Sequence, residues 1–261
     1  MSEGELLDIV QVKYILQQGS QVQRKIAVNW LKKQDTRETV DMLIQTFTDV
    51  YWLVRRMAAD AVAELGEKYS DQVISALDDE NLDINYWSIQ VLAKWGGDYH
   101  RPILKALDHP SDEVKSYAVR ALRGFPHEDI MLRLIDLLDY ENWHLRRLSA
   151  DSLEHMGEPA IPFLKNAFKK HLTDKHGEDI SYWTCRILSK LLEKESLSFL
   201  KKLLSSQFDN LRYHAIGALG DIEGSKSLPA LIKSFNDRSW VVRAKASAVI
   251  EAKGAAVIPY L

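Results

Sequence analysis

The feature that most constrains this chain is a recurrence. An aliphatic residue returns at Val54, Ile84, Val114, Leu145, Ile180, Leu211 and Val242, at spacings of 30, 30, 31, 35, 31 and 31. Val22, 32 residues before Val54, extends the series toward the N-terminus. A near-constant period of this size marks stacked helical hairpins, since each unit is too short to bury its own apolar stripes and needs copies of itself as neighbours. Two further columns keep the same period. Four residues after each marker stand Ala58, Ser88, Ala118, Ser149, Thr184, Ala215 and Ala246, all small, as close helix–helix approach requires. Eight residues after it stand Val62, Leu92, Leu122, Leu153, Leu188, Leu219 and Ile250, all aliphatic. The markers therefore predict helix starts, and both later columns are predicted to be buried.

Residues 209–237 display one whole unit. Leu211, Ala215, Ala218, Leu219 and Ile222 form the stripe of one amphipathic helix, which Gly224 is expected to stop. Leu228, Leu231, Ile232 and Phe235 form a second stripe, with Pro229 in the first turn, where a missing N–H is harmless. Asn81, Ser111, Asn142 and Ser239 each precede a marker by three residues and are placed to cap the helix that follows. The alternate helices share a Pro-led phrase: RPILKAL at 101–107, IPFLKNAF at 161–168, LPALIKSF at 228–235 and IPYL at 258–261. The long 145-to-180 spacing has its surplus in 169–177.

The expectation is an all-α, right-handed α-solenoid of about eight hairpins, a single domain over 1–261 that ends in mid-repeat. Ala255, Val257, Ile258 and Leu261 match the apolar positions of a first helix that the chain does not complete. This points to a longer protein, or to an end covered by another chain.

The pattern D/N-x-x-V-R-x-x-A-x-x-A-L-x-x-x-G, carried best by 237–254 and 209–224, resembles HEAT repeats. The likeness is greatest to the short bacterial type named after phycobilisome lyases. The resemblance implies that the second helices line the concave face. It also implies that a turn Asp and the basic residue after the marker support the stack. Here these are Asp49, Asp79, Asp108, Asp139 and Asp237, with Arg55, Lys115, Arg146, Arg212 and Arg243. Asn85 and Ser181 interrupt the basic column.

Composition narrows the function. No apolar run reaches the roughly 20 residues that span a bilayer, the acidic start lacks a signal-peptide pattern, and Cys185 is the only cysteine, which together suit the cytoplasm. A net charge of −3 argues against wholesale attraction to nucleic acid or to anionic lipid. No phosphate-cradling loop or nucleophile elbow occurs, and Cys185 shares a column with Ala59, Ile89, Val119, Ala150 and Ile216, the place of a packed thiol. His127–Glu128 is the one His-Glu pair, where the HEAT-repeat hydroxylase uses recurrent pairs to hold two irons, and His171 and His176 read as loop residues. The reading is a non-enzyme with no catalytic residues, metal or cofactor.

What remains is a basic and aromatic stripe on the second helices. Its candidate partner-binding residues are Arg56, Tyr86, Arg120, Arg147, Tyr182, Arg186 and Tyr213, large interaction-prone groups at positions the core does not require. Trp52, Trp143 and Trp240, two residues before their markers, join this stripe either as interaction groups or as packing between neighbouring repeats, and Trp87 and Trp183 are read as packed. Asp60, Asp112, Asp151, Glu154 and Glu251 stand among the basic positions, which disfavours phosphate tracking. The function expected is a protein-interaction scaffold or adaptor that takes another protein on its concave face. The alternatives are a phycobilin-lyase-like enzyme or chaperone, and a DNA-binding solenoid similar to alkylation-repair glycosylases.

Overall fold

The computed structural model describes residues 7–171, 178–192, 196–222 and 225–260. Among these, sixteen α-helices and no strand occur, so the all-α expectation holds. The first four hairpins are α1 (Ile9–Gln18) with α2 (Gln21–Gln34), α3 (Arg37–Gln45) with α4 (Trp52–Leu65), α5 (Ser70–Ser75) with α6 (Leu82–Trp95), and α7 (His100–Lys105) with α8 (Asp112–Leu122). They form one unit, residues 1–122. A second unit, residues 123–261, holds α9 (Glu128–Asp136) with α10 (Trp143–Met156), α11 (Ile161–His171) with α12 (Glu178–Leu191), α13 (Ser196–Leu203) with α14 (Asp209–Asp221), and α15 (Leu228–Lys233) with α16 (Trp240–Ala252). Within each unit the second helices of neighbouring hairpins pack side by side: α2, α4, α6 and α8 in the first, and α10, α12, α14 and α16 in the second.

Each of the seven helices bearing a marker begins two residues before it. The marker, small and aliphatic columns are buried throughout, and every residue of the small column is 0% exposed. At Gly220 an added Cβ would lie 2.6 Å from Val249 Cγ1, which shows how closely α14 approaches α16. Asn81, Ser111 and Asn142 cap as expected, accepting from Asp83, Glu113 and His144 N–H groups. Ser239 does not; its hydroxyl donates across to Asp209 Oδ2 at 3.1 Å. The helix expected to run to Gly224 ends earlier, at Asp221 with Ile222 already extended, while Gly224 itself and most of the 169–177 surplus lie outside the described residues. The segment matching the start of another first helix forms instead a 3-10 helix, Gly254–Tyr260, with Val257 buried and Ile258 exposed.

The Val22 marker is corrected. Val22 is 62% exposed, whereas Ala27, Val28 and Leu31 are buried. Those three match Ala58, Ala59 and Val62 at an offset of 31, which places Gln23 at the marker position. A polar residue is tolerated there because its side chain accepts from the Ser20 N–H at 2.9 Å, completing a capping box.

Most first helices close in a 3-10 turn, which tightens the last turn and shares its carbonyls. In three hairpins an Asp follows and folds the connection; after α7 and α9 that place falls to His109, whose Nδ1 accepts the Ser111 N–H at 3.0 Å, and to Tyr140, because Asp108 and Asp139 stand one residue earlier, inside the 3-10 turn. Asp49, Asp79 and Asp237 each accept the N–H two residues on, all at 2.8 Å. The residue after the marker reaches back over this turn: Arg55 Nη1 to Asp49 O (2.8 Å), Asn85 Nδ2 to Asp79 O (3.0 Å), and Arg243 Nη1 to Asp237 O (2.7 Å). Asn85 thus replaces the basic side chain in tying helix to turn, but it cannot cross to the next repeat. Arg24 and Arg212, which hold the same place after the marker, do reach the next repeat. Arg24 Nη1 meets Asp49 Oδ2 at 2.8 Å, and Arg212 grips both oxygens of Asp237 at 2.7 and 2.8 Å. The latter side chains are only 4% and 12% exposed. The hydrogen bonds from Arg212 hold the Asp237 carboxyl below the ordinary aspartate value of 3.8.

Two predictions follow from this packing. Leu31→Ala should cost about 2–5 kcal/mol, and Val22→Ala less than about 0.5, in urea denaturation; the reverse order would restore the Val22 register. Asp237→Ala strands a buried guanidinium and should cost about 3 kcal/mol. Because the folded-state pKa of Asp237 is lowered, its contribution is full at neutral pH. It declines as pH approaches 3.8 and vanishes once pH falls through the lowered value. Stability of the wild type and of Asp237→Ala should therefore converge in acid; a gap that persists there contradicts the role given to this pair.

Candidate functional site

A residue two positions after the marker sits about 200° around the helix from it, and one six positions after sits about 240° around. Both point away from the core stripe. This geometry, rather than any local motif, leaves Arg56, Arg120 and Arg147 exposed and Tyr86, Tyr182, Arg186 and Tyr213 half-buried.

In the first unit Arg56 is exposed, with its guanidinium 5.5 Å above the Trp52 ring and 3.8 Å from Asp60. Asp60 also accepts from Lys94 Nζ at 3.0 Å, a bridge from α6 to α4. Tyr86 is half-buried and meets Trp87 and Tyr117 edge-on, each at 5.0 Å between centroids. Trp52 lies 6.4 Å from Trp87, so an aromatic series runs Trp52, Trp87, Tyr86, Tyr117 across α4, α6 and α8. Burial, then the Glu113 and Asp83 carboxylates, push the Tyr117 phenol upward in pKa. Arg120 is exposed on α8 beside this phenol, and its charge opposes that shift.

In the second unit Arg186 Nη1 donates to Tyr182 Oη at 3.0 Å, and its guanidinium lies 5.7 Å from the Trp183 ring. Burial works against the Arg186 charge, but the Tyr182 hydrogen bond and the Asp221 and Glu154 carboxylates outweigh it. Tyr182 and Tyr213 both pack on His214, at 5.3 and 5.4 Å, and Lys245 sits 5.2 Å above Tyr213. Tyr182, Arg186 and Tyr213 thus form one cluster over α12, α14 and α16. Arg147 is exposed on α10, 3.9 Å from Asp151 of the same helix. Lys190 bridges α12 to α10 by binding both oxygens of Glu154.

The earlier tryptophan column, open between interaction and packing, resolves toward solvent: Trp52, Trp143 and Trp240 are 53%, 61% and 70% exposed. They occupy the first turn of their helices, on the side opposite the marker. The same angular argument that singles out Tyr86 would have found them. Trp87 is buried as expected, while Trp183 and His214 are half-buried.

Other candidate chemistry has little geometric support. His127 is exposed at the N-cap of α9; His171, expected in a loop, is instead the last residue of α11, and His176 lies outside the described residues. Among the described residues, no three His, Cys, Asp or Glu side chains gather as a metal site, and no helix is long and apolar enough to cross a membrane. Cys185 is 1% exposed, and burial pushes its thiol up to about 12. About one molecule in ten thousand then carries the thiolate at pH 8. Iodoacetamide should leave the native protein unlabelled at that pH and label it once per chain in guanidinium; rapid native labelling would contradict the packed-thiol reading.

The HEAT-repeat family model matches residues 100–174 and 167–251, which together cover 152 of the 261 residues. Among solved structures, a chain from the complex of Kap95p with RanGDP aligns at 12% identity and TM-score 0.52, covering 92% of this chain and 40% of that one. A designed armadillo repeat protein aligns at 19% identity and TM-score 0.27, covering 94% and 99%. Human deoxyhypusine hydroxylase aligns at 18% and 0.33, covering 93% and 95%. The first of these supports the solenoid fold; identities this low speak to fold alone. The comparison with curated proteins returns no match. With the hairpin period, the buried columns and the matched residues in agreement, the chain belongs to the HEAT-repeat family.

Proposed function

We propose that this protein is a cytoplasmic scaffold or adaptor that binds another protein on its second-helix face, at Arg56, Tyr86 and Arg120 and at Arg147, Tyr182, Arg186 and Tyr213. The observation that carries the reading is a face of exposed arginines (Arg56, Arg120 and Arg147) and half-buried Tyr86, Tyr182, Arg186 and Tyr213 at helix positions the core leaves unused, with carboxylates threaded among them. Asp60, Asp151 and Asp221 stand within 4.0 Å of Arg56, Arg147 and Arg186. Such mixed charge suits a protein partner better than a phosphate backbone, which calls for a one-signed track. The repeats belong, on this proposal, to the short bacterial type named after phycobilisome lyases and run as a single array. The supports are the 30- to 31-residue period and its continuity through residue 122.

The test combines Arg147→Glu with Tyr182→Ala. Capture of an identified partner from the native cell extract should be lost, by about a hundredfold in affinity if both residues are hot spots. The helical circular dichroism should stay unchanged. Capture equal to wild type would mean that the stripe is structural and the partner binds elsewhere. Visible absorbance of the purified protein checks the lyase-like alternative, because a bound bilin would colour it.

A further inference from the structure

Two grooves occupy equivalent places, one in each unit. The first lies beside the Arg24–Asp49 pair and the second beside Arg212–Asp237. Their lining residues correspond at a constant offset of 188 (201 − 13, 212 − 24, 237 − 49). The volumes are about 560 and 870 Å³. Since the register is the same, what the fold requires at this place is present in both grooves. What differs is not demanded by folding.

Charge is the difference. In the N-terminal groove Lys13 and Arg24 face Glu38, Asp41 and Asp49, two cations against three carboxylates. Lys13 is itself paired with Glu38 at 3.1 Å. In the C-terminal groove Lys233 stands where Gln45 would be, Arg238 where Val50 would be, and Pro229 where Asp41 would be. Four cations, Lys201, Arg212, Lys233 and Arg238, then face Asp237 alone, a balance of +3 among the described lining residues. Both oxygens of Asp237 are already engaged by Arg212, and one also accepts the Ser239 N–H. The charge of Lys201, Lys233 and Arg238 is thus left over, and like charges held together repel.

An anion among them would relieve that repulsion. We propose that this groove binds a phosphoryl group, with Lys201 and Lys233 as point charges and the Arg238 guanidinium, held in place by its Nη2 hydrogen bond to Gln207 O, offering its remaining N–H donors. A balance of +3 suits a phosphate dianion better than a single carboxylate. Ser205 and Asn236 add neutral donors, and Leu204, Pro229 and Ala230 supply an apolar wall for whatever bears the phosphate. The groove lies at the hairpin turns of α13/α14 and α15/α16 and does not include the residues of the second-helix stripe. Its occupancy is therefore independent of the partner site proposed above.

The test titrates the full chain with pyrophosphate, with a phosphoserine peptide and with the same peptide unphosphorylated, by calorimetry at low salt. Pyrophosphate and the phosphopeptide should each bind saturably, one per chain, and weaken as salt is added. Lys201→Glu with Lys233→Glu, at two exposed positions, should weaken both by about tenfold or more with circular dichroism unchanged. Lys13→Glu, in the equivalent N-terminal groove, should change nothing. A tighter phosphopeptide would identify a phosphorylated chain as the source of the group, and a tighter pyrophosphate a small phosphate compound. The proposal falls if neither phosphate probe saturates, if the double variant binds like wild type, or if the unphosphorylated peptide binds equally well.

Discussion

The structure depends on how closely neighbouring second helices approach. The small column sets that distance: Ala58, Ser88, Ala118, Ser149, Thr184, Ala215 and Ala246 are all fully buried. With a small side chain at the line of contact, the aliphatic residues four positions on can interdigitate, and a hairpin that could not stand alone gains a core from its neighbours. The buried marker opens each helix at a fixed distance from its start, so the small column also fixes which side chains face outward. Arg56, Tyr86, Arg147, Tyr182 and Tyr213 are outward-facing as a consequence of that register.

Much of this was legible in the sequence because a period of 30 to 31 residues repeats a physical requirement many times over. Each copy of Ala or Ser in the small column is a separate statement of the same steric limit. The failures occur where one position escapes that averaging. Val22 looks like a marker, but Ala27, Val28 and Leu31 set the true register, and Gln23 can stand in the marker place because it serves the cap at Ser20. Trp52, Trp143 and Trp240 form as regular a column as any, yet regularity does not say inside or outside; only the angle from the marker does. Ser239 has the right residue type for a cap and uses its hydroxyl across the repeat boundary instead.

Electrostatics was legible in part. The basic column reads as one class from the sequence, and the structure divides it by what each side chain reaches. Arg55, Arg243 and the substituting Asn85 serve the turn of their own repeat. Arg24 and Arg212 also fasten one repeat to the next. The charges on the second-helix face follow another logic, since Lys94 with Asp60 and Lys190 with Glu154 bridge adjacent helices while their surroundings remain in water. Exposed pairs of this kind add little stability. No sequence column reveals the two equivalent grooves, because each is built from helices and turns that meet only in the fold.

The central claim is that inward columns make the fold and outward columns are free for a partner. A urea-denaturation series tests it most directly, comparing Ala58→Leu and Ala215→Leu with Arg147→Ala. Each added leucine should lower stability by about 1–3 kcal/mol or more, because it forces packed helices apart. Arg147→Ala should stay within about 0.5 kcal/mol of wild type. Equal losses at all three positions, or leucines that fit without loss, would contradict the account.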